Sequence, residues 1–299
     1  MSGIVWLASY PKSGNTWLRV FFANLVADTD DPVSINALGH PRIASSRRLF
    51  DDIVGIESSE LTRDEVRLLR PRVYERMARE LDTAAARFVK IHDAFTRTDD
   101  GVPIIPVSTT PRVIYIVRNP LDVAVSFAHH SGDSVDVTIE RMCDEQFRFG
   151  ADPSRLHEQL DQALLSWSGH VTSWVDEPSL EVFVLRYEDM HERPDEVFRG
   201  AAQFAGVSCT AEQIARAIKQ SSFEELSHQE AAHGFAERSA RADRFFREGK
   251  TGGWREVLTE QQIDRLVGAH GPVMLRFGYT EETQASSMSD SGTASRGER

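Results

Sequence analysis

Short apolar runs alternate along this chain with stretches whose apolar residues recur every three or four positions. Ile4-Val-Trp-Leu-Ala-Ser9 is a run of the first kind; Pro11 and Gly14 interrupt it, and Trp17, Leu18, Phe21, Phe22 and Leu25 follow at helical spacing. The order predicts strand, turn, helix. Residues 27–61 are polar and broken by Pro32, Gly39 and Pro41, so a long connection or lid with little regular structure is expected there. Residues 61–86 carry a helical pattern with a break at Pro71. Arg87-Phe-Val-Lys-Ile-His92 and Arg112-Val-Ile-Tyr-Ile-Val117 predict two more strands, the second apolar enough to be buried on both faces.

Asn119-Pro120 then opens a helix running to His130, with Asn as the cap and Pro in the first turn. Helical spacing returns over 156–174, Leu180-Glu-Val-Phe-Val-Leu185 predicts a fourth strand, and helices are expected over 195–205 and 211–219. Strands alternating with helices point to an α/β fold, a single domain with a mostly parallel central sheet flanked by helices on both faces. From Thr280 onward the chain is rich in Ser, Thr, Gly and charge without apolar period, so one domain over residues 1–280 and a disordered polar tail over 281–299 are expected.

Composition narrows the function classes. With 40% hydrophobic, 27% charged and 9% aromatic residues in 299, the chain has the balance of an ordinary globular protein. Its apolar runs fall far short of the roughly 20 residues a membrane span needs. No basic segment followed by an apolar stretch precedes Ile4, so the reading is cytoplasmic, without a secretory signal. Cys143 and Cys209 are the two cysteines and lie far apart, which argues against a disulfide framework and a cysteine metal site. A net charge of −12 disfavours nucleic acid and anionic membranes as partners, so an anionic ligand would have to be held by a local cluster.

One such cluster stands between the first strand and the first helix, Tyr10-Pro-Lys-Ser-Gly-Asn-Thr-Trp17. Gly14 lets the backbone approach an oxyanion, consecutive N–H groups at a helix start donate to it, and Lys12, Ser13 and Thr16 add charge and hydroxyls. The loop suits a phosphate. It is not a Walker A loop, because its lysine precedes the glycine. Further clusters are Arg118 with Ser126 after the third strand, Lys90 with His92 on one face of the second, and the Gly-rich Phe246-Arg-Glu-Gly-Lys-Thr-Gly-Gly-Trp254.

Together these segments resemble the sulfotransferases that use 3′-phosphoadenosine-5′-phosphosulfate (PAPS) and release 3′-phosphoadenosine-5′-phosphate (PAP). The likeness runs from Ile4 to Gly278. It implies a P-loop nucleotide-kinase-like fold with a variable helical cap over the acceptor pocket. It implies that Lys12, Ser13, Gly14, Asn15, Thr16 and Trp17 hold the 5′-phosphosulfate and adenine, and that Arg118 and Ser126 hold the 3′-phosphate. Tyr187, Ser221 and Phe223 are implied around the base, with Phe246, Arg247 and Gly249 wrapping the 3′-phosphate. At Glu248 the sequence departs from the family, which commonly has Lys there; Lys250 is the candidate to restore that charge. Catalytic roles are implied for Lys12, Lys90, His92 and Ser126, with His92 as general base and no metal. The partner is then a small-molecule acceptor with a hydroxyl or amine. The oligomeric state stays open, a homodimer among the options. Two rival readings are an ATP-dependent kinase and a non-catalytic nucleotide-binding protein.

Overall fold

The structure, a computed structural model, describes residues 4–38, 43–80, 88–109, 112–151, 156–239, 241–247 and 249–280. Strands among them are β1 (Val5–Ser9), β2 (Phe88–Ile91), β3 (Arg112–Val117), the short β4 (Arg148–Phe149) and β5 (Gln162–Ala163), and β6 (Val182–Arg186). Four form one parallel sheet in the order β2-β1-β3-β6, while β4 and β5 pair antiparallel by themselves. Trp6 stands opposite Val89 on one side and Val113 on the other, and Tyr115 opposite Val184.

The helices are α1 (Asn15–Ala27), α2 (Arg47–Val54), α3 (Arg63–Arg79), α4 (Pro120–Ser131), α5 (Val135–Cys143) and α6 (Trp167–Val175). They continue with α7 (Tyr187–Glu192), α8 (Pro194–Phe204), α9 (Ala211–Gln220), α10 (Phe223–His233) and α11 (Glu260–Arg276). Alternate side chains of each strand leave opposite faces of the sheet, and each face has its own core. Trp6, Val89, Val113 and Tyr115 pack with residues of α3, α4, α5, α6 and α11, among them Tyr74, Phe127, Trp167 and Leu266. Val5, Leu7, Ile114 and Leu185 pack with α1, α8 and α9 through Phe21, Phe22, Phe198 and Ile214. The expected sandwich of helices on a buried parallel sheet is therefore present, with β3 buried from Val113 to Val117. A smaller cluster of Val20, Ile35, Leu38, Leu226, Phe235 and Phe246 lies beside α1 and fixes the covering segment that follows α10.

Three local expectations are corrected. The stretch 27–61 contains α2, started by Ser46, whose hydroxyl accepts from Leu49 N, and stopped at Gly55; two turns with one buried residue, Phe50, are too short to stand out as a periodic pattern. Pro71 does not break α3, which runs through it. Burial of Val73, Tyr74 and Met77 together with a Thr62–Glu65 capping box outweighs the roughly 3 kcal/mol a mid-helix proline costs. The pattern over 156–174 is helical only from Trp167. Before it, Leu160 N donates to Ser45 O and Ala94 N to Ala163 O, long-range pairings that hold this segment extended. The tail over 281–299 lies outside the described residues.

Candidate active site

All four main strands discharge at their carboxyl ends into one cavity of about 960 Å³, where ligands of open parallel sheets bind. The β1 turn comes first. Lys12 and Gly14 take left-handed backbone angles, φ 67° and 97°, which fold the chain back before α1 begins at Asn15. A Cβ at Gly14 would lie 2.5 Å from Tyr187 Cδ2, so the bare backbone is what fits against that ring. Asn15 ties the turn to its strand, Nδ2 donating to Leu7 O at 2.6 Å and Ser9 Oγ at 3.2 Å. The buried Ser13 hydroxyl has no hydrogen-bond partner among the described residues.

Arg118, at the end of β3, joins this turn to the Gly-rich loop. Its Nη1 donates to Lys12 O at 2.9 Å and Nη2 to Lys250 O at 3.1 Å, while the guanidinium lies 4.2 Å from the Tyr187 ring centroid. Its buried Nε has no partner among the described residues. Asp122 accepts from Gly252 N at 2.8 Å and Trp254 N at 3.1 Å. Gly249, φ 57°, sits against Phe223 so closely that a Cβ would be 2.2 Å from Cδ2. Tyr187 is set by its neighbour: the Glu188 carboxylate accepts from Asn119 N at 3.0 Å and from Tyr279 Oη at 2.9 Å. Trp17 meets Tyr187, His191 and Phe198 at centroid distances of 5.9, 4.6 and 5.6 Å.

His92 follows β2. Its Nδ1 donates to Ser9 O at 2.8 Å, which leaves the lone pair on Nε2, and its carbonyl accepts from His170 Nε2 at 3.0 Å. Burial, with the Lys90 charge, holds the imidazole well below its ordinary value. Lys90 donates to Glu237 at 3.0 Å, and the same carboxylate pairs with Arg19. Burial alone would raise the Glu237 carboxyl; Lys90 and Arg19 override it and hold it at about 2. The Lys12 ammonium lies 3.9 Å from the Phe245 ring centroid, and burial, Lys90 and Arg118 bring it down to about 7.

The structure thus brings Lys12, Gly14, Asn15, Thr16, Trp17, Lys90, His92, Arg118, Ser126, Tyr187, Phe223, Phe246, Arg247 and Gly249 to one cavity wall. Ser13 and Ser221 are not on it. The Ser221 hydroxyl donates to Ala217 O at 2.8 Å, closing the end of α9. Glu248 lies outside the described residues. Of the histidines to which the sequence reading gives no role, His130, His157 and His191 line the cavity, whereas His129, His228 and His233 are exposed. Glu237 and Phe245 are cavity residues that the sequence reading did not single out. Among the described residues no group of three or more His, Cys, Asp and Glu side chains could hold a metal ion.

The sulfotransferase domain model matches residues 3–278. The chain belongs to the sulfotransferase family. Its relatives include flavonol 3-sulfotransferase of Flaveria bidentis, 26% identical over 88% of this chain and 78% of that one. Another is cytosolic sulfotransferase 13 of Arabidopsis thaliana, 28% identical over 87% and 74%. Sulfotransferase 1A1 of Canis lupus familiaris is 24% identical over 93% and 85%. Solved folds of the same kind include mouse sulfotransferase SULT7A1 complexed with PAP, TM-score 0.57 at 21% identity, covering 92% of this chain and 85% of that chain. Retinol dehydratase in complex with androsterone and PAP aligns with TM-score 0.60 at 19% identity, covering 90% and 80%. The P-loop-like α/β fold expected from the sequence is the one these sulfotransferases have, and sulfuryl transfer is the chemistry of this family.

In this sulfotransferase the cavity fits a nucleotide with two anionic ends. The turn before α1 offers consecutive N–H groups and Lys12 at one place, and Arg118 with the Gly-rich loop offers a second cationic corner. On the cavity wall the buried Arg118 Nε has no partner among the described residues, and an unpaired atom of that kind calls for a ligand or water. No helix among the described residues is long and apolar enough to cross a membrane.

Proposed function

We propose that this sulfotransferase takes PAPS as donor and moves the sulfuryl group in line to a hydroxyl or amine of a small-molecule acceptor, with His92 as general base. Bound PAPS supplies the sulfuryl group already joined to a phosphate leaving group. Lys12, Thr16 and the backbone N–H groups of the β1 turn bind the 5′ end, and Arg118, Ser126, Arg247 and the Gly249 backbone bind the 3′-phosphate. Trp17, Tyr187 and Phe223 bound the base.

The observation that carries this reading is the His92 tautomer. With Nδ1 committed to Ser9 O, a neutral Nε2 is left in the cavity that Lys12 also lines. His92 takes the acceptor's proton as its oxygen or nitrogen bonds to sulfur, and the S–O bond to phosphate breaks. Lys12 faces the charge that develops on the leaving oxygen. Lys90, paired with Glu237, keeps its ammonium beside His92, where it serves the sulfuryl oxygens. The place of work is the cytoplasm.

Incubation with sulfur-labelled PAPS, excess EDTA and a panel of phenols, alcohols and amines tests the proposal. Label should appear on an acceptor with matching release of PAP. Turnover that requires a divalent metal and ATP would contradict it and favour a kinase.

A further inference from the structure

α4 presents two side chains to the cavity one helical turn apart, Ser126 and His130. Ser126 belongs to the phosphate reading; His130 has no role in it. The His130 Nδ1 is buried and has no hydrogen-bond partner among the described residues. Its ring stands edge-on to Phe245, centroids 6.0 Å apart at 90°, and Phe245 is the ring on which the Lys12 ammonium rests at 3.9 Å. Burial, then the charges of Lys12 and Lys90, push the imidazole down to about 3. It is therefore neutral at working pH, with one nitrogen to donate and one to accept.

Phe245 is thus shared between the His130 ring on one side and the Lys12 ammonium on the other, which places His130 at the end of the cavity where Lys12 stands. Apolar side chains of the cavity lining include Val125, Phe127, Phe149 and Phe245, the last in edge contact with His130. An acceptor presenting only carbon there would leave the buried nitrogen unpaired, and sites with such an unpaired group reject ligands that cannot bond it.

We propose that His130 is a specificity-determining residue that hydrogen-bonds a second polar group beside the acceptor's nucleophile, so that the acceptors are vicinal diols, catechols or their amino analogues. This rests on the sulfotransferase reading above. His92 takes the proton from one group while His130 holds its neighbour. If the imidazole merely packed against Phe245, it would leave acceptors with and without the neighbouring group alike.

The test compares catechol with phenol, and cyclohexane-1,2-diol with cyclohexanol, by calorimetry on the enzyme–PAP complex and by kcat/KM with PAPS. Wild type should favour the two-group member of at least one pair by about tenfold or more. His130→Phe should bring that ratio to about one, and His130→Gln, which can still hydrogen-bond, should keep part of it. PAP affinity serves as the check that the nucleotide site is intact. Ratios near one for both pairs in wild type would overturn the proposal, as would a preference that survives His130→Phe. If the Phe variant does not fold, the Gln variant and the wild-type ratios decide. Failure of wild type to bind PAP would overturn the sulfotransferase reading, and this proposal with it, whereas PAP binding without discrimination overturns this proposal alone.

Discussion

Burial and the neighbouring charges of Lys90 and Arg118 bring the Lys12 ammonium from an ordinary lysine value of 10.5 to about 7 in the free protein. An anionic ligand beside it favours the charged form, so its value rises on binding. The complex then holds more protons than the free protein between those two values. PAP affinity should accordingly be greatest below about pH 7 and fall as pH rises, with proton uptake visible by calorimetry in buffers of different ionisation heat; binding near pH 8.5 without uptake would contradict this. Arg118→Ala should weaken PAP by about 10–100-fold, the scale of lost charge-assisted bonds. AMP, which lacks the 3′-phosphate, should lose much less; equal losses would show that Arg118 only braces Lys12 O and Lys250 O. Lys12, Gly14, Arg118 and His92 were legible because each lies within a few residues of a strand end, where local sequence sets position. Glu237 and Phe245 were not, since they reach the cavity by the folding of a distant segment onto β2 and the β1 turn.

Elements were readable where their periodicity was long and self-contained. The sheet strands, α1, α4, α8 and α9 meet that condition, and the Asn119 cap accepts from Leu121 N as its position predicted. The extended backbone before Trp167 was not legible because its apolar spacing mimics a helix while its partners, Ser45 and Ala94, are remote in sequence. Pro71 misled because the tertiary force is concealed: Arg70 of α3 donates to Asp93 at 2.8 and 2.7 Å and anchors the helix beside the end of β2. At the Gly-rich loop the structure makes a sharp demand. Gly249→Ala adds a carbon where Phe223 stands, at a left-handed φ that disfavours any side chain. The substitution should cost PAP affinity about tenfold or more by displacing Phe223 or Arg247, with little change in thermal midpoint because the strain falls in a loop. Unaltered PAP affinity in calorimetry would place that loop outside the binding site.

Across the whole molecule, a core on each face of the sheet holds the four strands whose carboxyl ends line the cavity, and the burial that builds those cores also sets an acid limit. His170 and His270 are buried and held at about 4, and His92 well below its ordinary value, all first by burial. The unfolded chain protonates these groups below pH of about 6.5 while the folded one does not, so stability should fall as pH drops from there towards 4. Each group contributes at most about 1.4 kcal/mol per pH unit. Thermal midpoints over that range check the sign; a flat profile would mean that the imidazoles are not buried neutral. The proposed joint product of the four strand ends is transfer of the sulfuryl group with His92 as base, and that proposal is tested most directly by the turnover of purified His92→Ala with PAPS and a high-pKa alcohol acceptor, beside its PAP affinity. The account predicts a loss in kcat of roughly 10²–10⁴-fold with PAP affinity nearly unchanged; a folded variant turning over near the wild-type rate would contradict it.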